Sequence, residues 1–196
     1  MLFEHKNSDF ENGRFVLSKK VTATANAVLD KPIFQRLWNG HCYTCSEITF
    51  QHTDDYTFSI GRAEKLPLKG ESYAIRVCPT GICVTADSTR HLIDGFMTLL
   101  DMILPEKDFA FTPCCSLRES AAVAFRSVHL CVFESTTLEE LQKQLRLCGV
   151  LKYTHVFLEF WGMLRFDSLP ELSWPEAYTK DEVRPLLQEA KDMGLE

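Results

Sequence analysis

Two mostly apolar runs decide the fold of this chain: Val128-His129-Leu130-Cys131-Val132-Phe133 and His155-Val156-Phe157-Leu158-Glu159-Phe160-Trp161. Each has the length and composition of a buried strand. A pattern typical of an amphipathic helix follows each run, and a helix between two strands is the usual connection of a parallel pair. The last third of the chain therefore predicts two strand–helix units of a parallel α/β sheet.

Capping boxes indicate where both helices begin. Thr136 and Thr137 each stand three residues before a glutamate, and Thr179 stands three residues before Glu182. In this arrangement the side chains satisfy the first free backbone N–H groups of a helix. Gly194 is expected to end the second helix, and Pro185 removes one donor within it. The predicted apolar faces are made of Leu138, Leu141, Leu145 and Cys148, and of Val183, Leu186, Leu187 and Ala190.

Two units of this kind are the first part of a TIM-type barrel, in which about eight strands close the sheet and remove its open edges. The sequence ends at Glu196, where a third strand is expected to begin. We therefore expect residues 113–196 to be the truncated start of a (β/α)8 barrel, and the chain to be a fragment of a longer protein.

Residues 1–112 show a different pattern. Turn residues separate short, strand-like runs at 14–18, 47–51, 56–60, 72–78 and 81–86. Their alternation of apolar and polar residues predicts antiparallel strands with one covered face. A helix capped by Ser88, with apolar residues at helical spacing as far as Leu104-Pro105, is the expected cover. This is an α+β domain, and the segment from Pro105 to Pro113 is its expected boundary.

Composition limits the classes of partner. The 196 residues are 45% hydrophobic and 24% charged, which is typical of a globular chain. A net charge of −6 without clustered Lys and Arg argues against nucleic acid as a partner. The first residues do not resemble a signal peptide, and no stretch approaches the ~20 apolar residues of a membrane span. We expect a cytoplasmic protein without a membrane partner.

Eight cysteines permit either a disulfide framework or reduced thiols. Cys131 in a predicted buried strand and Cys148 on an apolar helix face have the positions of small hydrophobes. Cys78 and Cys83 flank a predicted turn at 79–81 and could face each other across it. Reduced thiols are the favoured interpretation for a cytoplasmic chain.

One constellation resembles a metal site. Cys42 and Cys45 lie between His41 and His52, and two cysteines with this spacing can bind one zinc ion. The sequence has no second pair of this kind, so reduced cysteines near a strand are the favoured interpretation. We expect neither a metal ion nor another cofactor.

From about residue 70 onward the chain carries an ordered set of motifs, at 72–77, 81–86, 95–100, 125–127 and 151–156. This set resembles glycoside hydrolase family 20, the β-N-acetylhexosaminidases. Three segments are similar to the small non-catalytic domain that precedes the family's barrel: 72–77, 81–86 and 95–100. Phe125-Arg126-Ser127 resembles the Arg-Gly pair that opens the first barrel strand, and Leu151-Lys152-Tyr153-Thr154-His155-Val156 resembles the second strand. The loop and helix that follow are represented by 170–172 and 178–183.

The resemblance implies a retaining hydrolase that removes terminal N-acetylhexosamine from glycans and uses the substrate's acetamido oxygen as nucleophile. In the family, an adjacent Asp-Glu pair orients the acetamido group and acts as general acid and base. That pair lies on the fourth barrel strand, beyond Glu196. We therefore expect no catalytic residue here, an N-acetylhexosamine-containing glycan as partner of the longer protein, and self-association of the truncated barrel.

Two residues are candidates for substrate binding. Arg126 matches the family arginine that donates to the 3- and 4-hydroxyls of the terminal sugar, a role that suits a planar fork of donors. Its alternative role is pairing with a carboxylate at a domain junction. Glu159 falls where the family often has histidine, near the C-terminal end of a strand, and its alternative is a buried salt bridge. His129 and His155 are interpreted as satisfied core or interface histidines.

Two other function classes remain open. A non-catalytic carbohydrate-binding or scaffold module would present Trp38, Tyr43 and Tyr56 on one surface, because sugars stack on aromatic faces; core positions are the alternative for these residues. A small zinc or redox protein would be centred on Cys42 and Cys45.

Overall fold

A computed structural model describes residues 8–41 and 47–196. The chain divides into an N-terminal unit that reaches Ala122 and a C-terminal unit that begins at Val123. Among the described residues, no helix combines the length and the apolar character needed to cross a membrane.

The N-terminal unit is built on one mixed sheet. Its strands are β1 (Ser8–Leu17), β2 (Lys20–Asn26), β3 (Glu47–Thr53), β4 (Thr57–Gly61), β5 (Tyr73–Cys78), β6 (Gly81–Ala86), β7 (Leu104–Pro105) and β8 (Ala110–Glu119). Its helices are α1 (Pro32–His41) and α2 (Thr89–Met102). The strand order is β1-β8-β5-β6-β4-β2-β3, and β7 pairs with β8.

The expectation of a purely antiparallel sheet is wrong at one edge. β2 and β3 are parallel, whereas the other neighbouring pairs are antiparallel. Sequence reasoning missed β2 and α1, and these two elements explain the difference. A parallel pair needs a crossover connection, and α1 lies within the connection from β2 to β3.

The domain boundary expected at 112/113 lies inside β8. This strand pairs with β1 on one side and with β5 on the other, and its pairing with β5 continues as far as Glu119, which lies opposite Tyr73. The division therefore falls after Ala122. Pro113 does not interrupt the strand.

Helix α2 covers the sheet as expected. The Ser88 hydroxyl accepts a hydrogen bond from the His91 amide, which caps the helix. The core beneath α2 is an aromatic cluster with ring centroids 5.2 to 6.4 Å apart, made of Phe34, Trp38, Phe58 and Phe96. All four side chains are fully buried.

Cys78 and Cys83 do not face each other. Cys78 is opposite Gly81 in the β5–β6 register, and Cys83 is opposite Arg76. The reason is that the hairpin turn contains only Pro79 and Thr80, which moves the register away from the expected pairing. Both thiols are free.

The C-terminal unit contains the two expected strand–helix units: β9 (Ser127–Val132), α3 (Leu138–Val150), β10 (His155–Phe160) and α4 (Lys180–Asp192). The strands are parallel, and their register runs from Ser127 opposite His155 to Val132 opposite Phe160. Thr137 and Thr179 cap the helices through complete capping boxes, as predicted. Gly194 has a φ of 79°, the left-handed conformation expected after a helix end.

One face of β9–β10 packs against both helices. The predicted helix faces are buried at Leu141, Leu145, Cys148, Val183, Leu186 and Ala190. Leu187 is an exception, with 39% of its surface exposed. Strand residues Val128, Leu130, Val156 and Leu158 pack against this cluster. Because strand side chains alternate, the residues between them point the other way.

Candidate functional site

The second face of β9–β10, here called the open face, carries His129, Cys131, Phe157 and Glu159. The parallel register places Phe157 opposite His129, and Glu159 opposite Cys131. His129, Phe157 and Glu159 are exposed, and Cys131 is half-buried. The open face therefore places polar, potentially reactive groups side by side.

Three of these residues form a compact group, here called the His–Cys–Glu cluster. His129 Nε2 lies 3.0 Å from Glu159 Oε2. Cys131 Sγ lies 3.6 Å from the same carboxylate oxygen, close enough for the thiol to donate to it. All three ligand atoms lie within 4.8 Å of one another.

The expected burial of these residues is wrong. His129 is satisfied by its contact with Glu159, but it is not a core histidine, because 56% of its side chain is exposed. Cys131 is not a buried hydrophobe within its strand. The salt bridge expected as the alternative for Glu159 exists, but it is 46% exposed on the Glu159 side. The apolar runs suggested strands covered on both faces, whereas both helices pack on one face.

Aromatic side chains mark the C-terminal ends of both strands. Phe133 and Trp161 immediately follow β9 and β10, and their rings stack with centroids 5.9 Å apart. Phe133 is 45% exposed and Trp161 is 51% exposed. The pair is an accessible apolar platform.

Arg126 lies at the other end of β9. Its Nε donates to the carbonyl oxygen of Lys152 at 2.8 Å, and its Nη1 donates to the carbonyl oxygen of Val123 at 2.8 Å. Its amide donates to Thr154 Oγ1 at 2.9 Å, and its carbonyl accepts from the Thr154 amide at 2.8 Å. Arg126 thus ties the start of β9 to the chain just before β10.

The two candidate substrate-binding residues are not adjacent. Glu159 is opposite Cys131, five residues along β9 from Arg126. At about 3.3 Å per residue, this separates the two positions by about 16 Å along the strand.

A groove of about 340 Å³ lies in the loop after β10, and sequence reasoning missed it. Its lining is Arg165, Phe166, Asp167, Pro170, Ser173, Trp174 and Pro175. Trp174 packs so closely on Gly162 that a Cβ there would lie 2.7 Å from the indole nitrogen, and Gly162 has a φ of 75°. The sequence does contain a signal for this groove, because Trp174 lies between Pro170 and Pro175 in the segment that follows Gly162.

Asp181 and Glu182 are an adjacent Asp-Glu pair within this chain, but Glu182 serves as a helix cap. Its carboxylate accepts from the Thr179 amide at 2.8 Å and from the Thr179 hydroxyl at 2.7 Å. Asp181 pairs with Arg184 at 3.3 Å. These contacts assign the pair to α4 rather than to acid–base chemistry.

The two other function classes gain no support from the described residues. Trp38 is fully buried, so it cannot share a sugar-binding surface with Tyr56, which is 43% exposed. Tyr43, Cys42 and Cys45 lie outside the described residues. His52 Nε2 lies 3.2 Å from Asp30 Oδ2.

His155 is satisfied, as interpreted from the sequence. Its Nδ1 lies 2.8 Å from Thr154 Oγ1, and its Nε2 lies 3.4 Å from a Glu196 carboxylate oxygen. The Phe125 ring packs on it with centroids 4.4 Å apart.

No protein-family model matches the chain, and no curated relative matches it. Solved structures do. The family 20 exo-β-N-acetylglucosaminidase of Vibrio harveyi, in complex with N-acetylglucosamine, matches 98% of this chain with a TM-score of 0.75 and 15% identity. The β-N-acetylhexosaminidase of Bacteroides fragilis matches 100% of it with a TM-score of 0.72 and 18% identity. The family 20 enzyme of Streptomyces coelicolor matches 98% with a TM-score of 0.70 and 16% identity.

The chain shares its fold with family 20 glycoside hydrolases. The resemblance stated from the sequence is confirmed at the level of the fold, and it extends over both units. The chain spans 34%, 43% and 44% of the length of the three solved structures. This share is consistent with an N-terminal portion of a family 20 enzyme.

Proposed function

We propose that this chain is the N-terminal part of a glycoside hydrolase that removes terminal N-acetylhexosamine by substrate-assisted, retaining hydrolysis. The N-terminal unit is the non-catalytic domain, and the C-terminal unit supplies the first two strand–helix units of the catalytic barrel. The observation that carries the proposal is a single structural match that includes both units and covers 98% of the chain.

The chemistry needs groups beyond this chain. The substrate's acetamido oxygen attacks the anomeric carbon while a glutamic acid protonates the departing glycosidic oxygen. Water then opens the cyclic intermediate, and the same residue, now a glutamate, takes the proton. The neighbouring aspartate orients the acetamido group. This Asp-Glu pair is expected on the fourth barrel strand.

The C-terminal unit would supply substrate contacts at the end of the barrel where such enzymes build their sites. Phe133 and Trp161 offer an aromatic surface there for the apolar face of a sugar ring. Glu159 is one residue before the end of β10 and can accept a hydrogen bond from a sugar hydroxyl.

Arg126 is the proposed donor to the terminal sugar's hydroxyls. The proposal rests on the resemblance of Phe125-Arg126-Ser127 to the pair that opens the first barrel strand in the family. Arg126 precedes β9, at the opposite end of the strand from Phe133, so its substitution is the first test of this part of the proposal.

The experiment compares this chain with the longer open reading frame that contains it. We expect the longer protein to release nitrophenol from the N-acetyl-β-glucosaminide but not from the β-glucoside, which lacks the acetamido nucleophile. An N-trifluoroacetyl substrate should react more slowly, because fluorine withdraws electrons from the attacking oxygen. The 196-residue chain should hydrolyse none of them. Activity of the short chain, or equal hydrolysis of the glucoside, would contradict the proposal.

In the longer protein, Arg126→Ala should lower kcat/KM by a factor that corresponds to about 2–4 kcal/mol, because the contact is charge-assisted. Arg126→Lys should recover only part of this, since an ammonium lacks the planar fork. Arg118→Ala is the matched control, as Arg118 in the N-terminal unit also donates to a main-chain carbonyl, that of Pro67 at 2.8 Å. Rates are compared per folded molecule.

A further inference from the structure

The His–Cys–Glu cluster has the form of a metal-binding site. His129 and Cys131 are two residues apart on β9, so both side chains project from the same face of the strand. Glu159 is opposite Cys131 on the neighbouring strand, which brings a third ligand type to the same point. Two adjacent strands fix all three positions.

The distances agree with a single tetrahedral ion. With bonds of about 2.0 Å to nitrogen, 2.1 Å to oxygen and 2.3 Å to sulfur, a tetrahedral ion separates nitrogen from oxygen by about 3.3 Å and sulfur from oxygen by about 3.6 Å. The corresponding separations here are 3.0 Å and 3.6 Å. The nitrogen and the sulfur lie within 4.8 Å, and a small rotation of exposed side chains closes the remaining gap.

The ligand types select the ion. A thiolate and an imidazole favour Zn²⁺ over Mg²⁺ or Ca²⁺, which prefer shells made of oxygen. One nitrogen, one sulfur and one oxygen leave a tetrahedral ion with a fourth position for water or another ligand.

We propose that His129 Nε2, Cys131 Sγ and Glu159 Oε2 bind one Zn²⁺ ion on the open face of β9–β10. The site uses none of the residues of the Cys42–Cys45 constellation, and it does not depend on the proposed hydrolase activity. The competing explanation is an exposed histidine–carboxylate pair with a cysteine nearby, which has no reason to bind a metal.

The experiment titrates the reduced, metal-free 196-residue protein with Zn²⁺ alone and with Co²⁺ alone. We expect one equivalent of each ion to bind at this site, and the cobalt form to show the near-ultraviolet absorption of a thiolate–cobalt bond. Cys131→Ser should abolish that band. His129→Ala and Glu159→Gln should each weaken binding by at least about tenfold, since even partners outside the ligand shell contribute that much.

Two control variants make the result specific. Cys78→Ser removes another partly buried thiol and should leave binding unchanged. A double variant, Cys42→Ser with Cys45→Ser, should keep the band that Cys131→Ser loses. Circular dichroism verifies that each variant is folded. The proposal is overturned if no ion binds, if the band survives Cys131→Ser, or if the Cys42/Cys45 variant removes it.

Discussion

Arg126 has a structural role that the C-terminal unit needs whatever its part in sugar binding. Its guanidinium donates to the carbonyl oxygens of Val123 and Lys152. Lys152 has a φ of 62°, a left-handed conformation that a non-glycine residue rarely adopts. A hydrogen bond to its carbonyl helps to hold the loop in this conformation.

We therefore expect Arg126→Ala to destabilise the C-terminal unit by about 1–3 kcal/mol, because two charge-assisted hydrogen bonds are lost from a half-buried side chain. Hydrogen exchange of β9 and β10 peptides measures the change as lost protection. Arg126→Lys should lie in between, as one ammonium cannot serve both carbonyls in the same geometry. Unchanged protection in the alanine variant would show that these contacts carry no stability.

Glu159 illustrates how one residue can serve two proposals. A sugar hydroxyl and a zinc ion would both use its carboxylate oxygen, but only the metal also needs Cys131. Comparing the kcat/KM of Cys131→Ser with that of Glu159→Ala in the longer protein separates the two uses, because a pure sugar contact is lost only in the alanine variant.

At the scale of elements, the capping boxes couple helix stability to pH. The Thr137 amide donates to Glu140 and the Thr179 amide donates to Glu182, and these bonds lower the pKa of both carboxyls below 4.5. A lowered pKa in the folded state stabilises the fold above the unfolded value and loses this effect as the pH falls through the folded value. The helices should thus weaken below about pH 4.5.

Replacing both residues, Glu140→Gln with Glu182→Gln, should reduce the loss of stability on acidification. Glutamine still accepts the capping hydrogen bond but does not titrate. The urea midpoint, followed by circular dichroism from about pH 6 to about pH 3, measures the slope. Glu171→Gln is the control, because it removes an exposed glutamate outside both capping boxes. If Glu171→Gln reduced the loss of stability on acidification as much as the double variant does, the proposed link between the capping boxes and pH would be refuted.

At the scale of the whole molecule, Phe157 on the open face and Trp161 just after β10 are each more than half accessible. Within the described residues, β9 and β10 form a sheet of two strands only, so each has an edge without a strand partner. Exposed apolar surface beside free strand edges promotes association.

We expect the 196-residue chain to self-associate as its concentration rises, as measured by sedimentation velocity. Phe157→Lys with Trp161→Lys should shift the chain toward monomer, since charges on such a face oppose pairing. Leu172→Lys is the matched control, because Leu172 is 64% exposed but lies in the loop after β10. A chain that stays monomeric, or a control that acts as strongly, would contradict this expectation.

Local signals in the sequence were sufficient for α2, α3, α4, β9 and β10. Ser88, Thr137 and Thr179 cap helices through contacts within three residues, so neighbouring sequence contains the whole interaction. The apolar spacing that followed each cap matched the buried faces, with Leu187 as the exception. Strands β2 and β8 escaped notice because their patterns are weak: threonine and alanine alternate in β2, and β8 contains a proline.

The order of motifs along the sequence determined which family the chain resembles, because that comparison depends only on sequence. Tertiary structure alone decided which strand face is covered. An apolar run is compatible with a strand that is buried on one face or on both. The other face is open only because α3 and α4 pack on the face that carries Val128 and Leu130. The meeting of His129, Cys131 and Glu159 was likewise decided by the β9–β10 register, a contact between residues 28 apart that no local pattern specifies.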